Sequence, residues 1–311
     1  MTTALSTIIL LAAWADGSIV TGPDGSPPTT ALSQAGGIQP ALHHLAEALG
    51  LDRDATRLAV TDTTSTSAVH HVAWCGPLPH PGPLPDGWGT VPFGQLLTAL
   101  PPAARARVRT AARTGLLSEP VAYLNDGLRP GGRPSKSERT TARFAWHART
   151  PTHAEDQSVH QVWGWLTDPR GRALVVIDHH GSPSLPGGRP EPGETREATL
   201  AREAMEEAAA RHGRPTVLGF QQVTEAGQPP YLQLRMTARL LGIGPAAPDP
   251  DTGETYRRVL VPAAHANLLL GWGPEGDAQA AAVATALPSG HGCALRHVPE
   301  TGWVPQGADG A

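Results

Sequence analysis

Side chains that cross-link or form covalent adducts are scarce in this 311-residue sequence. Its only cysteines, Cys75 and Cys293, are far apart and form no CxxC pair. This excludes a disulfide framework and a cysteine-based zinc site, and it fits a reducing compartment. The only lysine is Lys136, so a Schiff-base lysine elsewhere in the chain is also excluded. We therefore expect a cytoplasmic protein whose chemistry depends on other side chains.

Positive charge is not in excess either. The net charge of −4 and the pI near 6.4 provide no overall basic field for nucleic acid phosphates, so no stable nucleic acid partner is expected. The first basic residue is Arg53, and the apolar run from Ile8 to Trp14 lacks the positive flank of a signal peptide. The run is also too short to span a membrane. We expect it to be a buried strand, and we expect no membrane partner.

The length of the chain is about twice that of a typical domain, so two domains are expected. The sequence is 40% hydrophobic, which provides enough apolar residues for ordinary cores. Its 35 glycines and 32 prolines are expected mainly in loops. Residues 125–139 combine glycine, proline and basic residues, and this composition predicts a linker between the two halves.

Glutamates are concentrated on one side of a predicted helix in the second half. Thr195 is placed to cap this helix, and no glycine or proline follows before Gly213. Glu203, Glu206 and Glu207 stand at i, i+3 and i+4 and therefore share one face. The small apolar residues expected to pack against a sheet on the opposite side are Ala198, Ala201, Met205 and Ala208.

Carboxylates in such a cluster repel one another, which favours a cation nearby. Hard divalent ions prefer oxygen ligands, and Mg²⁺ typically takes a few carboxylates while keeping several waters. The alternative is a solvated helix face whose glutamates pair with Arg196, Arg202 and Arg211. The glycine-rich loop before the helix favours the metal site, because glycine lets the backbone approach the carboxylates closely.

This segment resembles the Nudix box, G-x5-E-x7-R-E-U-x-E-E-x-G-U, where U is a bulky aliphatic residue. The matching residues are Gly188, Glu194, Arg202, Glu203, Glu206 and Glu207, after the usual lead-in Leu185-Pro186-Gly187. Ala204 and Ala210 replace the bulky aliphatic residues, and Ala209 replaces the last glycine. We expect this last change to let the helix continue towards Gly213. None of the departures removes a carboxylate.

The resemblance implies an α/β/α sandwich with a mixed sheet. It also implies a hydrolase, dependent on Mg²⁺ or Mn²⁺, that cleaves a nucleoside diphosphate linked to another moiety, such as a nucleoside triphosphate or a nucleotide sugar. By position in the box, Glu203, Glu206 and Glu207 would hold or orient the metal, with the Gly187 carbonyl as a possible further ligand. Arg202 and Glu194 would brace the loop by an ion pair.

A further base or metal ligand usually comes from a later loop. The acidic candidates there are Asp249, Asp251 and Glu254, of which we prefer Glu254; an ordinary acidic turn is the alternative. Arg257 and Arg258 follow as candidates for contact with phosphate. His179 and His180, just before the box loop, are candidates for a hydrogen bond to substrate, with a surface or packing role as the alternative.

The first half resembles a degenerate copy of the same domain. Its parallel segments are 15–20 with 169–176, 41–51 with the end of the box, and 88–97 with 258–269. His43-His44 stand in place of Arg-Glu, and Glu47-Ala48 stand in place of Glu-Glu, so Glu47 alone remains of the three helix carboxylates. We predict two tandem Nudix-like domains of which the first is catalytically silent. The alternative is an unrelated α/β domain.

The predicted organisation is a degenerate Nudix-like domain at 1–118, a linker at 119–155, a catalytic Nudix domain at 156–290 and a tail at 291–311. The rival function is a regulatory module that binds a nucleotide without cleaving it. The substrate is expected to be a small nucleotide-type molecule whose identity the sequence leaves open. A homodimer and an internal pseudo-dimer also both remain open.

Overall fold

The computed structural model describes residues 6–32, 36–78, 83–128, 142–286 and 295–299. It divides the chain into two compact units. Unit 1 comprises Met1–Arg139 and Asn267–Asp277, and unit 2 comprises Thr140–Ala266 and Ala278–Ala311. Residues 129–141 of the predicted linker, and residues 291–294 and 300–311 of the predicted tail, lie outside the described residues.

Unit 1 is a mixed sheet with helices. Its strands are β1 (Ser6–Trp14), β2 (Ser18–Thr21), β3 (Thr29–Ala31), β4 (Thr56–Thr63), β5 (Val69–Leu78), β6 (Gly89–Pro92) and β7 (Ala122–Asn125). Its helices are α1 (Ile38–Ala48), α2 (Phe93–Ala99) and α3 (Pro102–Leu116), with a 3₁₀ turn at Arg53–Ala55. The apolar run from Ile8 to Trp14 lies in β1, where almost every side chain is buried, as its sequence predicts.

Unit 2 is a second mixed sheet with helices. Its strands are β8 (Arg143–His147), β9 (Val159–Thr167), β10 (Arg172–Ile177), β11 (Pro183–Ser184), β12 (Gly187–Gly188), β13 (Ala210–His212), β14 (Thr216–Thr224), β15 (Tyr231–Ile243), β16 (Arg257–Pro262) and β17 (Arg296–His297). Its helices are α4 (His153–Asp156) and α5 (Arg196–Ala208), with a 3₁₀ turn at Ala263–His265. Helix α6 (Ala266–Leu270) and the first turn of α7 (Pro274–Ala286) belong almost entirely to unit 1, and α7 continues in unit 2 from Ala278. The prediction of an α/β fold with mixed sheets is confirmed.

The division into units differs from the sequence boundaries in one segment. Residues 267–277, which the sequence assigns to the second domain, pack within unit 1. The amide of Gly94 donates a 2.8 Å hydrogen bond to the Asp277 carboxylate, and the Asn267 amide nitrogen lies 2.6 Å from the same carboxylate. Two strands also lie within the predicted linker at 119–155. Strand β7 pairs with β4 in the sheet of unit 1, and β8 pairs with β14 in the sheet of unit 2.

The two sheets share one strand order over five strands. In unit 1 the order is β6-β2-β1-β5-β4, with β3 added beside β1; in unit 2 it is β16-β10-β9-β15-β14, with β12 added beside β9. In both, the central pair, β1 with β5 and β9 with β15, is parallel. The other equivalent pairs are antiparallel. The equivalent helices α1 and α5 each follow the added strand.

Each unit buries its own apolar core under the equivalent helix. In unit 2 the core contains Leu200 and Ala204 from α5 and Leu234 and Met236 from β15. In unit 1 it contains Leu42, Leu45 and Leu49 against β1 and β5. The opposite face of the unit 2 sheet is covered by α7, whose buried Gln279 contacts Arg235, so unit 2 is a sandwich of helix, sheet and helix. Within the described residues, no helix has the length and apolar character needed to cross a bilayer.

Candidate active site

Helix α5 carries the predicted carboxylates, and its start follows the sequence signals. The Thr195 side chain accepts a hydrogen bond from the amide of Ala198, the expected N-cap arrangement. The buried face, however, is only partly the predicted one. Ala208 is buried as predicted, together with Leu200 and Ala204, whereas Met205 is 46% exposed. Ala198 and Ala201 are exposed as well.

The reason for this error is that small alanines lie around most of the helix, so they do not mark a face. Leu200 is the large aliphatic residue, and its side chain fills the space above Gly164 of β9. Ala204 and Ala208 lie one and two turns further on, on the same side. The buried stripe therefore begins at Leu200, and the glutamates occupy the sides of this stripe and the solvent-facing part of the helix.

The helix also ends earlier than predicted. It stops at Ala208, and Ala209 adopts a left-handed conformation with φ of 50°, after which β13 begins. The prediction that the alanine lets the helix run on to Gly213 is wrong. The carbonyl of Ala208 accepts a hydrogen bond from Arg258, and β13 pairs with β15, so tertiary contacts fix the end of the helix. Ala209 takes the conformation that glycine adopts most easily.

Arg202 connects the carboxylates to the loop. Its Nε atom lies 3.1 Å from Glu194 Oε1, its Nη2 atom lies 3.0 Å from Glu203 Oε1, and its Nη1 atom lies 2.8 Å from Glu206 Oε2. Nη2 also donates to the Arg189 carbonyl at 3.0 Å. One guanidinium thus contacts three carboxylates and the loop backbone, and the remaining negative charge of the cluster is available to a further cation.

The glycines of β12 let the loop approach the same carboxylates. The amide of Gly187 donates a 3.0 Å hydrogen bond to Glu207 Oε2. At Gly188, a Cβ atom would lie 2.1 Å from Glu203 Oε1, so no other residue fits without displacing that carboxylate. Because β12 pairs with β9, the loop backbone is held against the sheet while the helix presents the side chains.

Burial and mutual repulsion change the acidity of these groups. Burial, reinforced by Glu203 and Asp249, raises the pKa of Glu207 to about 8. Burial also raises the pKa of Glu203, and Arg202 opposes this rise. Glu194 behaves in the opposite way, because its hydrogen bond to Arg202 lowers its pKa. Glu207 thus has its charged form disfavoured unless a cation lies close to it.

The donor set fits a hard divalent ion. Within the described parts of the chain, no three Asp, Glu, His or Cys side chains stand around one point as a preformed metal site would require. Mg²⁺ needs only a few carboxylates, since waters and substrate oxygens complete its shell. Glu203, Glu206 and Glu207 supply such carboxylate oxygens from one helix, and the Glu203 carboxylate lies directly against Gly188.

The later acidic loop lies near the cluster. Glu254 Oε2 forms a hydrogen bond with Nδ1 of His179, a residue just before the box loop. Tyr256 has its pKa raised to about 12, first by burial and then by Glu207, Asp249 and Glu254, which places these acids around one phenol. Asp249 is only 6% exposed, and its carboxylate accepts hydrogen bonds from the amides of the turn at 251–252.

One sequence expectation about this loop needs revision. Arg258 does not contact substrate phosphate, because it is 3% exposed and donates to the carbonyls of Ala208, Gly244 and Pro299. The burial of Asp249 could not be predicted from its sequence context of prolines and acidic residues. In the structure the amide of Gly253 donates a 2.7 Å hydrogen bond to the Asp249 carbonyl and closes the turn.

Helix α1 of unit 1 has a different surface at the equivalent position. Glu47 is exposed, and its carboxylate lies 3.9 Å from Arg53. His43 forms a 2.9 Å hydrogen bond with Gln39 one turn earlier, and His44 is exposed. No glycine of β3 brings backbone against Glu47, since β3 consists of Thr29–Ala31. The described residues of α1 therefore present no carboxylate cluster.

Comparison with known proteins agrees with this geometry. Residues 159–278 match the family model of the NUDIX domain. This match spans 120 of the 311 residues, so the similarity to the NUDIX domain concerns that part of the chain. No curated protein matches the sequence.

Three solved structures similar to parts of this chain are Nudix proteins or pyrophosphohydrolases. The Bacillus subtilis pyrophosphohydrolase BsRppH is 21% identical, with 32% of this chain and 61% of that chain covered at a TM-score of 0.29. The MutT NUDIX hydrolase from Burkholderia pseudomallei is 20% identical, with 33% and 81% covered at 0.28. The NUDIX hydrolase from Nitrosomonas europaea is 18% identical, with 41% and 89% covered at 0.32. This chain thus spans less than two thirds of the length of the first of them.

Proposed function

We propose that unit 2 hydrolyses the diphosphate linkage of a nucleoside diphosphate joined to another moiety, with Mg²⁺ or Mn²⁺ as cofactor. The observation that carries this proposal is the position of Glu203 and Glu207 against the Gly187–Gly188 backbone, with Glu206 joined to the same cluster through Arg202. The substrate class includes nucleoside triphosphates and nucleotide sugars. In the reaction, water adds to one phosphorus while the other phosphate leaves with the bridging oxygen.

In this proposal the three glutamates of α5 hold and orient the metal, and the Gly187 carbonyl is a further candidate ligand. A bound dication would neutralise the diphosphate and activate the attacking water. Arg202 and Glu194 keep the loop in place through the ion pair between them. Burial raises the pKa of Glu207, so a nearby dication would be needed to keep its carboxylate ionised and able to serve as a ligand.

Glu254 is the proposed general base. It would accept the proton of the attacking water, and its hydrogen bond with His179 Nδ1 would hold its carboxylate in place. After burial, the charges of Glu207, Asp249 and Glu254 raise the pKa of Tyr256, so Glu254 and Glu207 both act on the same phenol. Asp249 is the weaker candidate for this role, because its Oδ1 atom is already committed to the turn at 251–252.

Unit 1 is proposed to be a Nudix-like domain without catalytic activity. Its shared strand order supports the common fold, and the exposed Glu47 with no partner carboxylate supports the loss of activity. Cys75 is free and buried, in keeping with a proposed cytoplasmic location. A homodimer is not required by this proposal, and the substrate is proposed to be a small nucleotide-type molecule.

The test is product release from nucleoside triphosphates, nucleotide sugars and dinucleotides, identified by mass spectrometry with Mg²⁺ or Mn²⁺ present. Glu206→Gln and Glu207→Gln should each lower kcat by about a thousandfold, because each removes a ligand of an ion worth several kcal/mol to the transition state. Glu197→Gln is the matched control, since Glu197 is exposed on the first turn of the same helix. Full activity in the two variants would refute the proposed ligand roles.

A nucleotide-binding module without turnover is the second candidate. The observation that favours it is the engagement of Glu203 and Glu206 by Arg202, which leaves fewer carboxylate oxygens for a metal. Tight binding of a nucleotide that is recovered unchanged from the wild-type protein with either metal would select this function. Release of a cleaved product would reject it.

A further inference from the structure

The face of the unit 2 sheet opposite α5 contains a buried guanidinium group. Arg235 lies between Leu234 and Met236 of β15, which belong to the core under α5, so its own side chain points to the other face. Arg235 is only 2% exposed. It donates hydrogen bonds to the side-chain oxygens of Gln279 at 2.9 Å, Gln221 at 2.7 Å and Gln233 at 3.1 Å. These amides hold the guanidinium in one position.

Arg235 also lies beside the ring of Trp163. The two residues are paired in the parallel ladder of β15 with β9, so their side chains leave the same face of the sheet. The guanidinium carbon of Arg235 is 5.9 Å from the centroid of the Trp163 ring, which is within the range of a cation–π contact. Such a contact is stronger when the cation is removed from water, as Arg235 is. The fixed guanidinium therefore holds the ring.

Trp163 contacts the box loop from the same position in β9. It is paired with Gly187 in the ladder of β9 with β12. A Cβ atom on Gly187 would lie 2.7 Å from the Cα atom of Trp163 and 3.1 Å from its ring atom Cε3. The Gly187 backbone thus packs directly on Trp163, and the ring limits where the loop can lie.

The Gly187 backbone in turn holds one of the carboxylates. Its amide donates a 3.0 Å hydrogen bond to Glu207 Oε2. The place of this amide therefore sets the place of that oxygen. Arg235, Trp163, Gly187 and Glu207 form a continuous series of contacts that begins on the buried face of the sheet and ends in the carboxylate cluster.

We propose that Trp163 and Arg235 are positioning residues for the metal site, because they set the place of the Gly187 amide and, through it, that of the Glu207 carboxylate. This inference rests on the proposed function, in which Glu207 binds a dication. It adds two residues that lie outside the box in sequence. Residues that hold metal ligands in place typically change metal affinity or activity about 10- to 100-fold when they are replaced.

The test variant is Trp163→Leu, with Trp163→Phe as the conservative variant that keeps a ring and Trp165→Phe as the matched control. Trp165 lies on the same face of β9 and is fully buried, but it is paired with Thr237 and not with Gly187. Among the described residues, neither indole Nε1 atom has a hydrogen-bond partner, so each substitution removes ring surface only. The variants should fold, since Trp163 is half-buried and the Gly164 amide still binds the Pro186 carbonyl.

The first measurement is hydrogen exchange at the Gly187 amide, followed by nuclear magnetic resonance without metal. Trp163→Leu should exchange this proton about tenfold faster than the wild type, because the loop opens locally when the ring is absent. Trp163→Phe and Trp165→Phe should exchange it at the wild-type rate. Arg235→Lys, which loses the planar stack, should also speed the exchange and tests the series from its other end. Equal rates in Trp163→Leu, Arg235→Lys and the wild type would overturn the proposal.

The second measurement is the binding of Mn²⁺ alone, by electron paramagnetic resonance. The Kd for Mn²⁺ should rise about tenfold in Trp163→Leu, return close to the wild-type value in Trp163→Phe and stay unchanged in Trp165→Phe. An unchanged Kd in Trp163→Leu would reject the positioning of the metal site. An equal rise in Trp165→Phe would also reject it, because general loosening of the sheet would then be the cause.

The two measurements separate this inference from the proposed function. A wild type that neither binds Mn²⁺ nor cleaves a diphosphate would reject the function, and faster Gly187 exchange in Trp163→Leu would still support the positioning of Glu207. In an active enzyme, Trp163→Leu should lower kcat about tenfold at a metal concentration near the wild-type Kd and leave the KM for substrate unchanged. A rise in KM alone would contradict a role that acts through Glu207.

Discussion

Helices α5 and α1 occupy equivalent places in two sheets of the same strand order, yet they present different surfaces. On α5, Glu203 and Glu207 are held against a glycine backbone, and burial raises the pKa of both. On α1, Glu47 is exposed beside Arg53. The scaffold therefore does not create the carboxylate site. The site requires several acids on one helix and a loop of glycines that approaches them.

A second difference lies on the opposite face of each sheet. In unit 1, Asp62 and His70 stand opposite each other on β4 and β5, and the buried Asp62 forms an ion pair with Arg107 of α3. In unit 2, Gln221 and Gln233 face each other on β14 and β15. Unit 1 thus has an ion pair between Arg107 and the buried Asp62 on this face. In unit 2, the buried Arg235 donates hydrogen bonds to the neutral amides of Gln221 and Gln233.

The largest expected effect on stability is in unit 1. Asp62→Ala leaves Arg107 buried without this carboxylate and removes the acceptor of two hydrogen bonds from the Gly127 amide. We expect the free energy of unfolding to fall by about 3–5 kcal/mol, as for other broken buried ion pairs. Urea unfolding measures it. Asp54→Ala, an exposed site in the same unit, is the control, and an equal small effect in both would contradict the buried role of Asp62.

The next effect is expected at the carboxylate cluster without metal. Burial raises the pKa of Glu207 to about 8, so the folded state favours the neutral carboxyl group. The stability that this protonation contributes is fully present below the unfolded pKa near 4.5 and is lost as the pH rises through about 8. Glu207→Gln should therefore raise the free energy of unfolding by about 2 kcal/mol at pH 9 and by almost nothing at pH 4. Urea unfolding with a chelator at both pH values is the measurement.

The control for this prediction comes from unit 1. Glu47→Gln should change the free energy of unfolding at neither pH, because Glu47 is exposed on α1. A stabilisation by Glu207→Gln of equal size at pH 4 and pH 9 would show that the ionised, buried form of Glu207 is not its source. Adding Mg²⁺ should stabilise the wild type more than the Glu207→Gln variant if the ion binds the folded state.

The ends of the two helices give a smaller and symmetrical pair of effects. Gly50 follows α1 with φ of 66°, and Ala209 follows α5 with φ of 50°. Left-handed backbone disfavours any side chain with a Cβ, so Ala209→Gly should stabilise unit 2 and Gly50→Ala should destabilise unit 1, each by about 1 kcal/mol. Chemical denaturation of each variant checks the sign. Effects of the same sign would contradict the equivalence of the two ends.

The smallest effect concerns the histidines of β5. Burial lowers the pKa of His70 and of His71, and Arg107 lowers that of His70 further. The unfolded chain therefore binds protons more readily, so unit 1 should lose stability as the pH falls below about 6.5. His70→Gln/His71→Gln should weaken this loss between pH 7 and pH 5 in urea unfolding. A steeper loss in the double variant would show that the sign is wrong.

Much of the box could be predicted because each of its signals is local. Thr195 caps its helix from the adjacent turn, and Glu203, Glu206 and Glu207 share a face because of helix periodicity. The apolar run in β1 is buried because it contains little else than large apolar residues. By contrast, the packing face of α5 was not predictable from its alanines, because small side chains on several sides do not distinguish the core from solvent.

The sequence by itself determined which residues we propose for the chemistry, because carboxylates, glycines and their spacing are properties of a single segment. Only the tertiary structure decided how they are used. Arg258 reaches the carbonyl of Ala208 from a strand 50 residues away, and His179 reaches Glu254 across 75 residues of chain. The stacking of His160 on Tyr231 likewise joins two strands that are neighbours only in the folded sheet. Such pairings depend on the packing of distant segments, and no local pattern encodes them.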